Sequence, residues 1–314
     1  MVRHLETLRL IEDVARAGSI RKAADDLNIT SSALNRRIQR FEEEFGAQVF
    51  ERLPRGVRLN AAGELLVQHY RMQRSDFERV QRQVADLSGV RRGHVSIACS
   101  QALQPYFLPR QIARYRADHP GVTFSVYVRD RTAAERELVT LTSDLALVFE
   151  PLYLADFEVL ASVPQPVYAM MAKDHPLAAK PVLRLRDCLA FPHVVPTAPI
   201  GVRHLLDLAT QRMSEGLKPV VECDSFELAR HYVLEEGAVG FQIPIGLRPE
   251  DTGDLAIRPV AERDVAAGHL LLGQMRRRVL PVASARFAMQ LTTALAEMES
   301  EMLHRTGGAA VPAR

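Results

Sequence analysis

The first sixty residues place apolar side chains at helical spacing in three short runs, which are separated by turn residues. The first run ends at Gly18, and Ser19 then suits the N-cap of a second helix that ends near Leu27. Asn28 tolerates a left-handed backbone, and Thr30 suits the N-cap of a third helix over 31–45. Two helices joined by so short a turn form a helix-turn-helix. The side chains of the third helix predicted to face inward are Leu34, Ile38, Phe41 and Phe45.

The outward-facing positions of the third helix are polar, which suits contact with DNA. Asn pairs with adenine and Arg with guanine on the major-groove edge of a base pair. A hairpin, or wing, predicted over 49–59 adds arginines that suit contact with phosphates. For Asn35 or Arg36 alone, a solvated face of an ordinary three-helix cluster is the simpler interpretation, but the whole arrangement favours DNA binding. The candidate DNA contacts are Arg21, Thr30, Ser31, Ser32, Asn35, Arg36, Gln39, Arg40, Arg52, Arg55 and Arg58.

A longer polar helix is predicted to begin after a cap at Asn60 and to end near Ser88, before Gly89. Apolar positions recur along it with alternating spacings of four and three residues, which is the heptad pattern of two paired helices. Gln73 is a polar residue in this pattern and would fix the register of the pair. The alternative is a single helix packed against its own domain. The candidate dimerisation seam is Leu66, Tyr70, Gln73, Phe77, Val80, Val84 and Leu87.

Beyond a hinge predicted at Arg91-Arg92-Gly93, strand patterns alternate with helix patterns. In chain order we expect a strand at 95–99, a helix at 105–117, a strand at 122–128, a helix at 132–141 and a strand at 145–149. This order predicts a parallel sheet with helices on both faces. A second set of elements is expected over 167–243, and the chain returns to the first lobe near Leu270. A helix over 285–302 closes the fold, and the tail is expected to be disordered.

The carboxyl ends of these strands are the expected ligand site. In open parallel sheets, a ligand lies beyond those ends, in the crevice between two lobes. Phe149 suggests an apolar patch there, and Arg129 favours an anion if it points inward. Each residue alone is as readily explained by a structural role. The candidate ligand contacts are Ser100, Gln101, Arg129, Phe149, Glu150, Gly201, Val202 and Gln242.

Composition adds a weak asymmetry to this division. The chain has 314 residues with 47% hydrophobic and 25% charged side chains, which is ordinary for a soluble globular protein. Residues 1–92 contain 17 Lys and Arg against 13 Asp and Glu, whereas the remainder contains 23 against 25. A mildly basic end fits nucleic-acid contact by one part of the chain. Because no apolar run reaches the roughly 20 residues of a membrane span and the start lacks a signal-peptide core, we expect a cytoplasmic protein.

The sequence shows none of the common catalytic motifs. It contains no Gly-x-Ser-x-Gly, no Walker loop, no Gly-x-Gly-x-x-Gly and no His-Glu-x-x-His, and its ten histidines lack metal-ligand spacing. We therefore expect no enzyme, no cofactor and no metal site. Cys99, Cys188 and Cys223 lie far apart without a Cys-x-x-Cys spacing, so reduced structural thiols are expected. A regulator that senses oxidants through Cys188 and Cys223 is the alternative, and it needs an exposed thiol of low pKa.

Four blocks of the N-terminal region resemble the winged helix-turn-helix of LysR-type transcriptional regulators: 18–27, 32–46, 49–52 and 56–63. That family often has Gln-Pro where this chain has Ser31-Ser32, and Ser where it has Asn35. Because these positions face DNA, the operator sequence stays open. The segments 175–178 and 235–244 look like second-lobe signatures of the family's effector domain. The resemblance thus covers nearly the whole chain.

This resemblance implies an α/β fold with a winged helix-turn-helix domain (1–60), a linker helix (61–90) and a two-lobed, periplasmic-binding-protein-like effector domain (93–314). Lobe I would comprise about 93–164 and 268–302, and lobe II about 165–267. The implied function is sequence-specific regulation of transcription, modulated by a small carboxylate, aromatic or not, held near Ser100 and the helix start at Val202. The implied partners are operator DNA, the effector, RNA polymerase and further copies of the chain in a homodimer or homotetramer, with no membrane.

Overall fold

The chain forms two compact units, Met1–Val84 and Ala85–Arg314. The computed structural model describes residues 2–54, 56–87, 93–152, 155–211, 213, 216–247, 253 and 255–307. The elements of the first unit follow the predicted order, and α4 continues past its boundary. They are α1 (Val2–Ala17), α2 (Ile20–Asp26), α3 (Ser31–Phe45), β1 (Phe50–Leu53), β2 (Gly56–Leu59) and α4 (Ala61–Leu87).

Local caps fix the ends of α2 and α3, as the sequence predicts. The Ser19 and Thr30 hydroxyls each accept a backbone N–H from the first turn of the helix that follows. Asn28 has a φ of +54° and Gly46 a φ of +81°, so a left-handed residue follows each of the two helices. The turn between α2 and α3 is therefore short and well defined by the residues that form it.

Apolar side chains from α1, α2, α3 and α4 form the core of the first unit. Tyr70 and Leu66 of α4 pack into this core, and the Glu12 carboxylate of α1 accepts bonds from Arg71 and Arg74 of α4. The prediction that Phe45 faces inward is wrong, because this last residue of α3 is 49% exposed and stacks on the outer side of Phe41. The buried core side chains include Leu8, Ile11, Val14, Ala23, Ala24, Leu34 and Ile38.

The second unit alternates strands and helices. Its elements are β3 (Gly93–Cys99), α5 (Phe107–Asp118), β4 (Val122–Val128), α6 (Arg131–Val139), β5 (Leu145–Phe149), β6 (Phe157–Gln165), β7 (Tyr168–Ala172), α7 (Leu185–Leu189), β8 (His193–Pro196), α8 (Gly201–Thr210), β9 (Val221–Cys223), α9 (Phe226–Glu235), β10 (Val239–Gln242), β11 (Leu255–Pro259), β12 (Gly268–Met275) and α10 (Val282–Gly307).

These strands form two five-stranded sheets, one in each lobe. The first has the order β4-β3-β5-β12-β6 and the second β11-β7-β10-β8-β9. Strands β4, β3 and β5 run parallel, as do β10, β8 and β9. The predicted parallel arrangement is confirmed for β3, β4 and β5, but each sheet also has antiparallel strands that the sequence did not reveal, because β12 is antiparallel to β5 and β6, and β7 is antiparallel to β10 and β11. Each lobe thus has a parallel half and an antiparallel half.

The antiparallel strands carry the chain between the lobes. The chain passes from β6 into β7 across Pro166 and Val167, and returns from β11 to β12 across residues 260–267. At the first crossing, the buried side chain of Gln165 accepts the backbone N–H of Ile245. The closing helix α10 packs into the first lobe through Phe287, Leu291 and Leu295, as expected from the sequence.

Candidate functional sites

The outward face of α3 is polar and accessible. Burial of Leu34, Ile38 and Phe41 leaves the opposite side of the helix outside the core. Of the predicted DNA contacts on this helix, Ser32, Arg36, Gln39 and Arg40 are exposed, and Ser31 and Asn35 are half-buried. The Thr30 hydroxyl serves as the helix cap, although the residue is exposed.

The hairpin β1–β2 is fixed against the turn that precedes α2. The N–H of Val57 donates to the carbonyl of Gly18 at 3.0 Å. A Cβ at Gly56 would lie 2.2 Å from that oxygen, and the φ of Gly56 is +133°, so only glycine fits this position. Arg52 and Arg58 are exposed on the hairpin, and the predicted contact Arg55 lies outside the described residues.

The arginines of the first unit differ in how they are paired. Arg40 is bonded to Glu44 at 2.9 Å, and Arg58 to Glu51 at 2.8 Å on the facing strand. Within the described part of the chain, Arg21, Arg36 and Arg52 form no ion pair and are exposed. These three guanidiniums are available for phosphates or base edges without breaking an internal contact.

The predicted dimerisation seam divides into two parts. Tyr70 is 6% exposed and Leu66 is half-buried, because both pack into the core of their own unit, as the alternative interpretation of α4 requires. Further along, Gln73 is exposed, Phe77 is 64% exposed and Val80 is 46% exposed. The side chains of Val84 and Leu87 lie outside the described residues. Leu65 and Met72, seven residues apart, are also exposed and were missed in the sequence.

A cavity of about 340 Å³ lies between the two lobes of the second unit. It is lined by residues at the carboxyl ends of all six parallel strands, as the rule for open sheets predicts. Of the predicted ligand contacts, Ser100, Gln101, Arg129, Phe149, Gly201 and Val202 line it.

The wall also contains residues that the sequence analysis missed. Thr197 and Pro199 follow β8, and Asp224 and Phe226 follow β9. The strand β8 is only four residues long and has no clear strand pattern in the sequence, which therefore gives no signal for the ligand contacts at its end. Asp130 and Arg131 follow β4, where only their neighbour Arg129 was chosen. The position of Arg131 shortly after a strand end is the feature of the sequence that could have predicted its place in the cavity wall.

Ser100 is positioned by the strand that neighbours its own. Its Oγ accepts the backbone N–H of Phe149 at 3.0 Å, and its own N–H donates to the carbonyl of Leu147. Since the oxygen accepts this bond, the hydroxyl hydrogen points elsewhere and can be donated to an acceptor in the cavity. The aromatic ring of Phe149, 3% exposed, adds an apolar part to the same wall.

The start of α8 faces the cavity without a side-chain cap. Ile200 stands at the N-cap position and no side chain accepts the first N–H groups of the helix. A Cβ at Gly201 would lie 2.6 Å from the Phe149 ring and 2.9 Å from the Phe149 carbonyl oxygen. Glycine therefore lets the helix start of one lobe approach the strand end of the other. Uncapped N–H groups at a helix start favour an anion.

Gln101 connects the two lobes directly. Its Nε2 donates to the carbonyl of Asp224 at 2.8 Å, and its Oε1 accepts the N–H of Phe226 at 2.8 Å. Both ends of the amide are used by backbone groups at the start of α9. Its side chain therefore holds the lobes together in this arrangement instead of pointing a free amide at a ligand.

Three other predicted contacts have internal partners. Arg129 lines the cavity, but its guanidinium pairs with Glu137 and lies 5.2 Å from the ring centre of Tyr127. The Glu150 carboxylate accepts the N–H of His269 in β12, and the buried Gln242 accepts the N–H of Ile243. Neither of these two is in the cavity wall. Their predicted role as ligand contacts is corrected, because they lie outside the wall and one side-chain oxygen of each accepts a backbone N–H.

Arg131 lies in the cavity wall and is 8% exposed. Its Nη1 donates to the carbonyl of Glu150 at 3.1 Å. Its Nε is buried and has no hydrogen-bond partner. Beside it, the Asp130 carboxylate caps α6 by accepting the N–H groups of Thr132 and Ala133, each at 2.9 Å.

The burial of Cys99 and Cys188 gives the redox alternative no support. Cys99 and Cys188 are fully buried, and burial raises the pKa of each thiol to about 12. The Cys223 thiol donates to the carbonyl of Ser225 at 3.3 Å. Because oxidant sensing depends on a thiolate, the protonated Cys188 does not support the redox alternative. The described residues contain no cluster of three His, Cys, Asp or Glu side chains that could hold a metal ion, and none of their helices could span a membrane.

Comparisons with known proteins extend over both units. A family model described as "Bacterial regulatory helix-turn-helix protein, lysR family" matches residues 5–64, and one described as "LysR substrate binding domain" matches 88–296. The uncharacterized HTH-type transcriptional regulator YbhD of Escherichia coli (strain K12) is 26% identical over 299 residues, covering 91% of this chain and 90% of that protein. The RuBisCO operon transcriptional regulator of Allochromatium vinosum is 30% identical over 181 residues, covering 58% and 60%.

Solved structures share the fold. A full-length OxyR variant from Pseudomonas aeruginosa has a TM-score of 0.63 at 18% identity and covers 93% of this chain and 94% of its own. Full-length CbnR complexed with its target DNA has a TM-score of 0.59 at 18% identity, covering 92% and 99%. The substrate-domain model alone covers more than half of the sequence. The chain therefore belongs to the LysR family of DNA-binding transcriptional regulators, which carry an effector-binding domain and are not enzymes.

Proposed function

We propose that this regulator binds a two-fold operator as a homodimer or a dimer of dimers. A small carboxylate bound in the cleft between the lobes then changes how the protein binds or bends the DNA. The change in DNA binding or bending then alters the recruitment of RNA polymerase. For such control, the ligand must bind two arrangements of the protein with different affinity.

On the DNA side, the exposed face of α3 supports this proposal. Recognition helices of this motif place their N-terminal half in the major groove. Asn35 and Arg36 are in that half, and Arg36 has no internal ion pair. Arg52 on the hairpin suits a phosphate, which adds affinity but little sequence information.

The exposed apolar side chains of α4 support the dimer. Phe77 and Val80 occupy seam positions and are largely exposed in the single chain. Burying such side chains against a second α4 removes apolar surface from water. Two-fold pairing then places two recognition helices on successive turns of the operator, whose half-sites mirror the symmetry of the protein.

The convergence of Ser100 and the uncapped start of α8 on one cavity is the observation that carries the ligand proposal. Both offer hydrogen-bond donors, and Phe149 offers an apolar wall. A cavity of about 340 Å³ is within the range of small-molecule sites. A small carboxylate with an apolar body fits this set of donors and walls.

Two measurements on the full-length protein test the proposal. Selection from random duplex DNA should enrich a two-fold sequence, and a melting-temperature screen should find stabilising carboxylates. A ligand at 100 times its dissociation constant adds about 2.7 kcal/mol of stability. The ligand found should change the affinity for the selected operator. A ligand that binds the cleft yet leaves operator affinity and DNA bending unchanged would contradict the regulatory role.

A further inference from the structure

Arg131, the first residue of α6, is a buried cation without a counter-charge. It is 8% exposed in the cavity wall, and its one hydrogen bond, from Nη1, goes to a neutral backbone carbonyl, that of Glu150. Its Nε has no partner, and among the described residues no carboxylate pairs with it. A buried charge is normally paired, because removing it from water is costly.

Other arginines of the same unit show what a guanidinium with a counter-charge looks like here. Arg184 presents its Nε and Nη2 to the two oxygens of Asp264 at 2.7 and 2.8 Å. The well-buried Arg278 bonds Asp144 at 2.6 Å. In Arg131 the Nε–Nη2 edge, the one that Arg184 uses, has no bond to any described residue. This edge matches a planar oxyanion with two oxygens.

Three donors converge on one short segment, Phe149-Glu150. The Ser100 Oγ lies 3.0 Å from the Phe149 nitrogen, Gly201 packs against the Phe149 carbonyl, and Arg131 Nη1 lies 3.1 Å from the Glu150 oxygen. Two residues span at most about 7 Å of chain. A single small molecule can therefore contact all three donors.

The geometry points to Arg131 as the residue that binds the anionic group of the cleft ligand, through its Nε–Nη2 edge. The ligand is then an organic oxyanion, a carboxylate or a phosphate monoester, and a neutral ligand is excluded. This inference rests on the proposed cleft site and adds the charge that the ligand must carry. Nε is shielded from the cavity in this structure. When the ligand binds, the guanidinium therefore rotates, and its one hydrogen bond to a carbonyl is replaced by two hydrogen bonds to the anionic group.

The first test needs no ligand. In the full-length protein, Arg131→Met removes a buried charge that has no counter-charge, whereas Arg278→Met leaves the buried Asp144 carboxylate without its counter-charge. We expect the melting temperature of Arg131→Met to equal or exceed that of the wild type, and that of Arg278→Met to fall. A fall for Arg131→Met as large as that for Arg278→Met would make Arg131 a structural residue and overturn the inference.

The second test uses three probes of similar shape: benzoate, phenyl phosphate and neutral benzamide. We expect one anion to raise the melting temperature of the wild type, with a dissociation constant at least about tenfold weaker in Arg131→Gln. Arg136→Gln removes the same charge from an exposed position of the same helix and should bind like the wild type. Which anion binds distinguishes a carboxylate from a phosphate. If none of the probes binds, the melting temperatures of Arg131→Met and Arg278→Met decide whether Arg131 is a structural residue.

The outcomes separate this inference from the proposed function. A ligand that binds wild type and Arg131→Gln equally well and still changes operator affinity overturns the role of Arg131 and leaves cleft regulation in place. If benzamide binds as tightly as benzoate, the role of Arg131 is likewise overturned and cleft regulation stays in place. An anion that requires Arg131 but leaves operator binding and bending unchanged supports the binding site and contradicts regulation through it.

Discussion

Ser96 in β3 and Ser100 directly after that strand each accept a backbone N–H with their hydroxyl oxygen. Ser96 accepts the N–H of Asp144 at 2.9 Å, and Ser100 accepts the N–H of Phe149 at 3.0 Å. Both hydroxyls tie the strand to the segment that enters or leaves β5. Only Ser100 lines the cavity. The pair therefore separates a structural hydroxyl from one that is also available to a ligand.

Ser100→Ala should destabilise the full-length protein by about 1–2 kcal/mol, because it removes the side-chain acceptor of the Phe149 N–H. Ser96→Ala should cost less, because the Asp144 N–H keeps the backbone carbonyl of Ser96 as an acceptor at 2.9 Å. Only Ser100→Ala should also weaken binding of a cleft ligand. Urea unfolding and titration of the ligand measure the two effects. Equal ligand affinity in the two variants would remove Ser100 from the binding site.

Two exposed, unpaired arginines of the first unit should affect DNA binding in different ways. Arg36→Ala should cost about 1–3 kcal/mol on the operator and relax the preference at one base pair. Arg52→Ala should weaken binding equally on all sequences and reduce the salt dependence. Fluorescence anisotropy on operator and random duplexes distinguishes these cases. Unchanged operator affinity in both variants would contradict the docking proposed for α3 and the hairpin.

At the scale of elements, α4 lies in two different environments along its length. Its first part belongs to the core of the helix-turn-helix unit through Tyr70, and the later seam positions Phe77 and Val80 are exposed. The heptad pattern in the sequence runs through both parts without a break. Periodicity shows which side chains share a face, but it does not show which partner covers that face. Tyr70 was therefore assigned to the dimer seam although its own unit buries it.

Phe77→Glu should dissociate the dimer, because it places a charge in the middle of an apolar seam. Met72→Glu adds the same charge on an exposed position outside the predicted seam. Analytical ultracentrifugation of the full-length variants measures the effect. If Met72→Glu also dissociates the dimer, the interface extends to the face of Leu65 and Met72. If Phe77→Glu leaves the oligomeric state unchanged, the predicted seam is contradicted.

The hydrogen bond between Gln101 and the Phe226 amide makes the contact between the lobes measurable at a single residue. The N–H of Phe226, at the start of α9, has Gln101 Oε1 as its acceptor, whereas the N–H of Leu228 is capped by Ser225. In Gln101→Ala, hydrogen exchange at the Phe226 amide should accelerate, while the Leu228 amide stays protected. Equal protection of Phe226 in variant and wild type would mean that Gln101 does not hold the lobes together in solution.

Elements with strong local signals were predictable from the sequence. The bounds of α3, β4 and β5 agree with the prediction, because a cap marks the start of α3, alternating apolar residues mark β4, and a continuous apolar run marks β5. Strands β6, β8 and β11 were missed, since β8 is short and prolines at 164 and 259 interrupt the strand pattern. Their absence hid the antiparallel halves of both sheets. Because β8 was missed, Thr197 at its end was not predicted as a ligand contact, whereas Ser100 and Gly201 were.

At the scale of the whole molecule, pairing through α4 predicts a fixed distance between operator half-sites. Inserting five base pairs between them turns one half-site to the opposite face of the duplex. Operator affinity should then fall to that of a single half-site. The Phe77→Glu variant, if monomeric, should be insensitive to the insertion, which is the internal control. Wild-type affinity that tolerates the insertion would contradict a rigid two-fold dimer.

The anchoring of α4 by Glu12 and Tyr70 has a mechanical consequence. Because these contacts join the first half of the helix to the body that carries α3, its remaining part from about residue 75 to Leu87 acts as a lever about 20 Å long. A tilt of about 10° at its far end moves the anchored body by roughly 3.4 Å, which is one base-pair step. Angular changes too small to disturb the helix itself therefore suffice to take a recognition helix out of register with its operator.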